Sequence, residues 1–263
     1  MLDTPGSEAT HDGRLPPPFP SGLLAGAARR QAMALLALFY GLVYGGGFLA
    51  GALRYRFATP VLSALFLGTL MLLATALVVR RDASWRESLG LEHQPVGAML
   101  GWSLLGFVGT YAVSFVSSTA YLASQGNLEA VMAHRVTLFG KLAEVPLGAI
   151  LPVAAFVAVW EETVFRGFIL GRLRASIPVQ DTPGATLCRD ALAVVLTALC
   201  FGAGHGYQGG LGLLQTTVAG VGLGALVVWR KSLWPAIGAH FAIDAFGLFV
   251  LKALQSLLPA ISQ

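Results

Sequence analysis

Seven stretches of this 263-residue chain run for about twenty residues with almost no charge, at approximately 31–53, 59–79, 96–121, 146–171, 189–207, 211–229 and 234–256. About 20 residues in a helix cover the roughly 30 Å hydrocarbon core of a bilayer. Nothing else in the sequence restricts the fold so severely. Backbone N–H and C=O groups find no water in hydrocarbon, so each span must close its own hydrogen bonds as a helix. The strands of a membrane barrel are about half as long and alternate in polarity. The expected class is therefore all-α, a polytopic transmembrane helical bundle of about seven spans. Composition agrees, because 56% of residues are hydrophobic and 11% charged, against about 25% charged in soluble domains.

Residues 1–30, with "RLPPPFP" among them, are polar and Pro-rich and read as a disordered tail. Residues 31–257 form the membrane domain. The tail lacks the pattern of a cleaved leader, so the first span is expected to stay attached, with Arg29 and Arg30 as topological anchors. With the N-terminus inside, 11 Lys and Arg fall in inner segments and 5 in outer ones, which favours a cytoplasmic N-terminus. Two segments read as interfacial, "SQGNLEAVMAHRVTLFGKLAE" and "RRDASWRESLGLEHQP". Gly41, Gly45, Gly47 and Gly51, then Gly220 and Gly224, have the spacing that lets helices approach closely. Cys188 and Cys200 suit no disulfide framework. No basic stripe with interleaved aromatics points to nucleic acid, and no internal repeat points to a two-half transporter.

The informative residues are the ones the bilayer should exclude. Ten of the 13 acids fall in the tail or loops; only Glu161, Glu162 and Asp244 lie within spans. His205, His240 and Arg166 join them, and all six sit on the fourth, fifth and seventh spans. Each acid or arginine at a helix centre costs on the order of 2.5–3.5 kcal/mol. Clustering on three helices therefore implies one shared polar pocket.

Helical spacing sharpens this. Glu162 and Arg166, four apart, can pair as a structural clasp. Glu161 is turned by about 100° from its neighbour, so it is expected to face a different pocket and stay available for chemistry. His240 and Asp244 share one face of the seventh span, and Phe201 and His205 share one face of the fifth, just before glycines. Counted inward at about 1.5 Å per residue, Glu161 lies roughly 16 Å deep, His205 roughly 24 Å and His240 roughly 10 Å. That spread is wide for a single site.

These residues carry a resemblance. "EETVFR" (Glu161, Glu162, Arg166) is similar to the EExxxR motif of the CAAX protease and bacteriocin-processing family, also called ABI. "FGAGH" (Phe201, His205) resembles its FxxxH motif, and "HFAID" (His240, Asp244) its terminal HxxxN/D motif. The resemblance covers about residues 145–250. It implies a CAAX-type intramembrane endopeptidase that hydrolyses a peptide bond near the membrane surface. Glu161 would activate water with help from His205, while His240 and Asp244 line the site and stabilise the oxyanion. Glu162, Arg166 and Phe201 would support it.

The family has been described as metalloproteases, and Glu161, His205 and His240 are candidate ligands for zinc. No HExxH helix is present, and glutamate-activated water needs no metal. Asp244 stands where the eukaryotic members carry Asn. An acid accepts where an amide donates, so orienting His240 is the alternative role for it. The implied partners are the bilayer and a peptide or protein substrate, lipidated or not, with bacteriocin processing or self-immunity among the family roles. The expected location is a bacterial plasma membrane. Two other readings stand beside this one: a non-catalytic immunity or scaffold protein of the same fold, and a proton-coupled transporter using the acids as a relay.

Overall fold

The computed structural model describes residues 25–45, 60–82, 84–126, 131, 145–179 and 182–261. Eight helices carry the described chain: α1 (Ala25–Tyr40), α2 (Pro60–Val79), α3 (Trp85–Ser88), α4 (Val96–Ser124), α5 (Leu147–Ser176), α6 (Pro183–Gly204), α7 (Gly209–Arg230) and α8 (Trp234–Ile261). Among the described residues there are no strands. Six of the helices are long and apolar enough to cross a membrane: α2, α4, α5, α6, α7 with the 3₁₀ turn Gly206–Gln208 before it, and α8. The protein is a multi-pass membrane protein. Of the first expected span, α1 and a π turn at Gly41–Gly45 are seen, and 46–53 lies outside the described residues. So does most of the segment read as an interfacial helix between α4 and α5. The tail is described only from Ala25, where α1 begins.

Successive long helices run in opposite directions, which sets one end of the bundle apart. The start of α1, the ends of α2, α5 and α7, and the starts of α4, α6 and α8 meet there. Arg29, Arg30, Arg80, Arg81, Arg86, Arg172, Arg174, Arg189, Arg230 and Lys231 all belong to this end. Arg172 pairs with Asp82 at 2.6 Å, and Arg174 takes Asp190 with two bonds of 2.8 Å. Asp190, expected in a loop, lies within α6, which starts at Pro183 because Thr182 caps it by accepting from the Ala185 amide. The segment 84–95 forms the short α3 and then a turn at Gly90 with φ of 70°. The Leu233 amide donates to the Gly90 carbonyl at 2.8 Å, so this turn lies directly under the start of α8.

Packing obeys the apolar pattern. Leu36, Phe39, Met71, Trp160, Phe165, Phe168 and Phe201 form one core between α1, α2, α5 and α6. Leu170, Val194, Leu223, Val227 and Leu233 form a second between α5, α6, α7 and α8. Close approach of α6 and α7 requires small residues: a Cβ on Gly220 would lie 2.9 Å from Ala198, and one on Gly202 would overlap Thr217. Gly224 packs on Val194 as its spacing implied, whereas a Cβ on Gly41 would meet nothing within 4 Å and Gly47 and Gly51 lie outside the described residues.

Two halves of α5 differ. From Leu147 to Val159 it has exposed apolar side chains such as Leu147, Leu151 and Val159, as a lipid-facing helix would. From Trp160 to Arg172 every residue is buried. The helix changes form just inside that boundary: Glu162–Ile169 is π-helical before α geometry resumes at Leu170.

Candidate active site

The enclosed half of α5 begins with the two carboxylates. Glu162 is completely buried and its Oε1 accepts from Arg166 Nη1 at 2.8 Å, so the expected clasp forms. It has a third member. His240 Nδ1 lies 2.6 Å from the same Glu162 oxygen, joining α8 to α5 at this point. A clasp between two residues of one helix has become a hydrogen-bonded joint between two helices.

Glu161 does not face a separate pocket. Its Oε2 lies 3.7 Å from His240 Nε2, so neighbouring carboxylates address the two nitrogens of one imidazole. An α-helix would turn them about 100° apart. The π segment that begins at Glu162 closes its hydrogen bonds over five residues instead of four, widening the turn and letting both acids point toward α8.

His205 comes from the other side. Helix α6 ends at Gly204 and the chain turns through Gly206–Gln208, which leaves His205 at the helix end. Its Nδ1 is 2.9 Å from the Phe201 carbonyl, so Nδ1 carries the proton and Nε2 is left toward the site. That Nε2 lies 4.0 Å from Glu161 Oε1. Asp244, one turn along α8, places Oδ2 3.5 Å from His240 Nε2. It approaches the site through His240, which fits an orienting role. Phe201 fills the space between these groups: the Arg166 guanidinium lies 4.2 Å over its ring, and its centroid is 4.6 Å from His205 and 6.3 Å from His240.

All seven residues singled out from the sequence are thus brought together, despite the spread of depths expected for them. The start of α8 is enclosed by protein, with Ser232 and Leu233 buried and the Leu233 amide bonded to the Gly90 turn, so counting residues from the chain's span boundaries does not locate His240.

Two further residues have no counterpart in the sequence motifs. The Tyr40 hydroxyl donates to the Cys200 carbonyl at 2.6 Å, and the Tyr44 hydroxyl donates to the Ala203 carbonyl. Together they tie the last turn of α6, and with it His205, to the end of α1. Carbonyls in a last helical turn lack intrahelical donors, so outside donors are needed there. Two tyrosines four apart in the first span are the signal the sequence offers for this.

The arrangement is one of acids and imidazoles around a gap. Among the described residues no group of three or more His, Cys, Asp or Glu is placed to hold a metal ion. No curated protein and no solved structure matches the chain. Residues 143–246, the part that carries Glu161, Glu162, Arg166, Phe201, His205, His240 and Asp244, match the family model for the type II CAAX prenyl endopeptidase Rce1-like proteins, so this segment is similar to that family.

Proposed function

We propose that the protein is an intramembrane endopeptidase in which Glu161 activates water for attack on a peptide carbonyl. The observation that carries this reading is the pair of gaps around Glu161. Its oxygens stand 4.0 Å from His205 Nε2 and 3.7 Å from His240 Nε2. Both are too long for direct hydrogen bonds and suited to one water or one substrate oxygen between the groups.

The tautomers assign the roles. His205 holds its proton on Nδ1 toward Phe201, so a neutral ring accepts at Nε2. A water between Glu161 and His205 meets two acceptors, and its oxygen lone pairs stay free to attack. As the O–C bond forms, the water proton passes to Glu161. His240 donates from Nδ1 to Glu162; as the imidazolium it also donates from Nε2 to the developing oxyanion, with Asp244 3.5 Å away to hold the ring. Collapse of the tetrahedral intermediate breaks the C–N bond, and Glu161 returns its proton to the leaving amine. Glu162, itself held by Arg166, positions His240, and the Phe201 carbonyl positions His205, so little reorganisation is needed.

The substrate class is a peptide or protein within or at the bilayer, with or without a lipid group, as in processing of exported peptides or in self-immunity. The membrane is a bacterial plasma membrane with the N-terminus in the cytoplasm. Replacement of Glu161 by Gln keeps the shape and removes the base; cleavage of a membrane peptide substrate should fall about 10²–10⁴-fold with folding unchanged. Full activity of that variant would overturn the mechanism stated here. The steps above run through protein groups alone, so a strong chelator should leave the rate unchanged. Loss of activity restored by added zinc would overturn that part.

A further inference from the structure

The site is not equally closed toward the two membrane faces. Toward the arginine-rich end, α5 is buried at every residue from Trp160 to Arg172, about 18 Å of helix. The turn at Leu89–Gly90 lies beneath it: a Cβ on Gly167 would meet the Leu89 carbonyl at 3.1 Å and Leu233 at 3.3 Å. Leu89 and Ser88 are themselves buried, and Ser88 bonds to Asp82, which Arg172 holds. No peptide could reach Glu161 from this side without unpacking two cores.

Exposure rises in the other direction. The side chains are 9% accessible at Glu161, 15% at His205 and 30% at Asp244. Tyr207, whose ring is stacked on His205, is 57% exposed, and Tyr44, bonded to the same helix end, is 48% exposed. The gradient leads from the carboxylate to the membrane face where α6 ends and α7 begins.

The charge distribution tells the two faces apart. Ten of the arginines and lysines in the described residues cluster at the sealed end, and Trp85, Trp102, Trp229 and Trp234 lie there too, Trp102 beneath Arg230 at 4.5 Å. Lys and Arg gather on the cytoplasmic side of membrane proteins, and Trp at the interface.

We propose that the sealed end faces the cytoplasm, that the site opens to the extracytoplasmic side, and that its substrate is a peptide segment presented from that side, on an exported or membrane-anchored chain. A lipidated C-terminus arriving from the cytoplasm would meet the closed end. This proposal rests on the reading of the site as a peptidase, but the opening itself can be measured without any cleavage.

The experiment uses the full chain with Cys188 and Cys200 replaced by alanine, in intact cells, probed with a membrane-impermeant maleimide. Tyr207→Cys should label to the same extent before and after permeabilisation, while Arg81→Cys should label only after it. Labelling of Tyr207→Cys only after permeabilisation, or not at all, overturns the proposal, as does labelling of Arg81→Cys in intact cells. An unchanged thermal melt of each variant in detergent shows that the probes report the native fold. A second arm tethers one reporter peptide on either side of the membrane, and cleavage should be confined to the extracytoplasmic reporter. Outward labelling with no cleavage of either reporter would count against the peptidase reading and leave the opening standing; cleavage of the cytoplasmic reporter would overturn the proposal and leave the peptidase reading intact.

Discussion

At the arginine-rich end, Asp190 is gripped through both oxygens by Arg174 and again by Arg189, so two cations answer one acid. In the middle of the bundle, Glu162 offers a single oxygen to both Arg166 and His240, while Glu161 and Asp244 have imidazoles as their neighbours. Three acids share one arginine there. The first arrangement is neutralised and lies near water; the second holds surplus acid where burial is most expensive. Ion pairing alone would not retain the extra carboxylates. The contrast separates a group that fastens helices from a group with acid left for reaction.

That contrast can be broken experimentally. Arg166→Met removes the guanidinium of the central cluster and leaves buried Glu162 with His240 as its remaining partner, a loss expected to cost about 3–5 kcal/mol of stability, read as thermal unfolding in detergent. Tyr44→Phe takes a donor from the α6 carbonyl beside His205, with an expected loss of about 1 kcal/mol and a lower kcat at little change in KM. Arg174→Gln leaves Asp190 its bond to Arg189 and should change stability by less than about 1 kcal/mol, with cleavage as in the unaltered protein. If Arg174→Gln proved as damaging as Arg166→Met, the two clusters would be equivalent fasteners and the distinction would fall.

The sequence announces the spans and the site for the same reason, the cost of polarity in hydrocarbon. Six of seven expected spans appear as long helices because length and hydropathy leave little choice. The seven site residues stand out because a bilayer tolerates few acids, arginines and histidines. The hidden features depend on relations between helices. "ETVFRGFI" contains nothing that distinguishes a π turn from an α turn, so the shared use of His240 by both glutamates is not legible there. The early burial of the α8 start depends on a loop more than 140 residues earlier, which no local pattern encodes. Tyr40 and Tyr44 do not stand out because an uncharged hydroxyl costs far less to bury than a carboxylate, and so raises no alarm.

The π segment has one more consequence, for anyone lining up related sequences. A hydrogen bond closed over five residues takes up one more residue than an α turn, so Glu162–Ile169 behaves as an insertion carried inside a helix. Deleting Gly167 would keep Glu161, Glu162 and Arg166 at their spacing and leave a regular, more ordinary helix. It would also return the two carboxylates to the separation of about 100° that consecutive residues have in an α-helix. A homologue with every motif letter present and a one-residue gap between Arg166 and Leu170 should therefore be read as having lost the meeting of two carboxylates on one histidine.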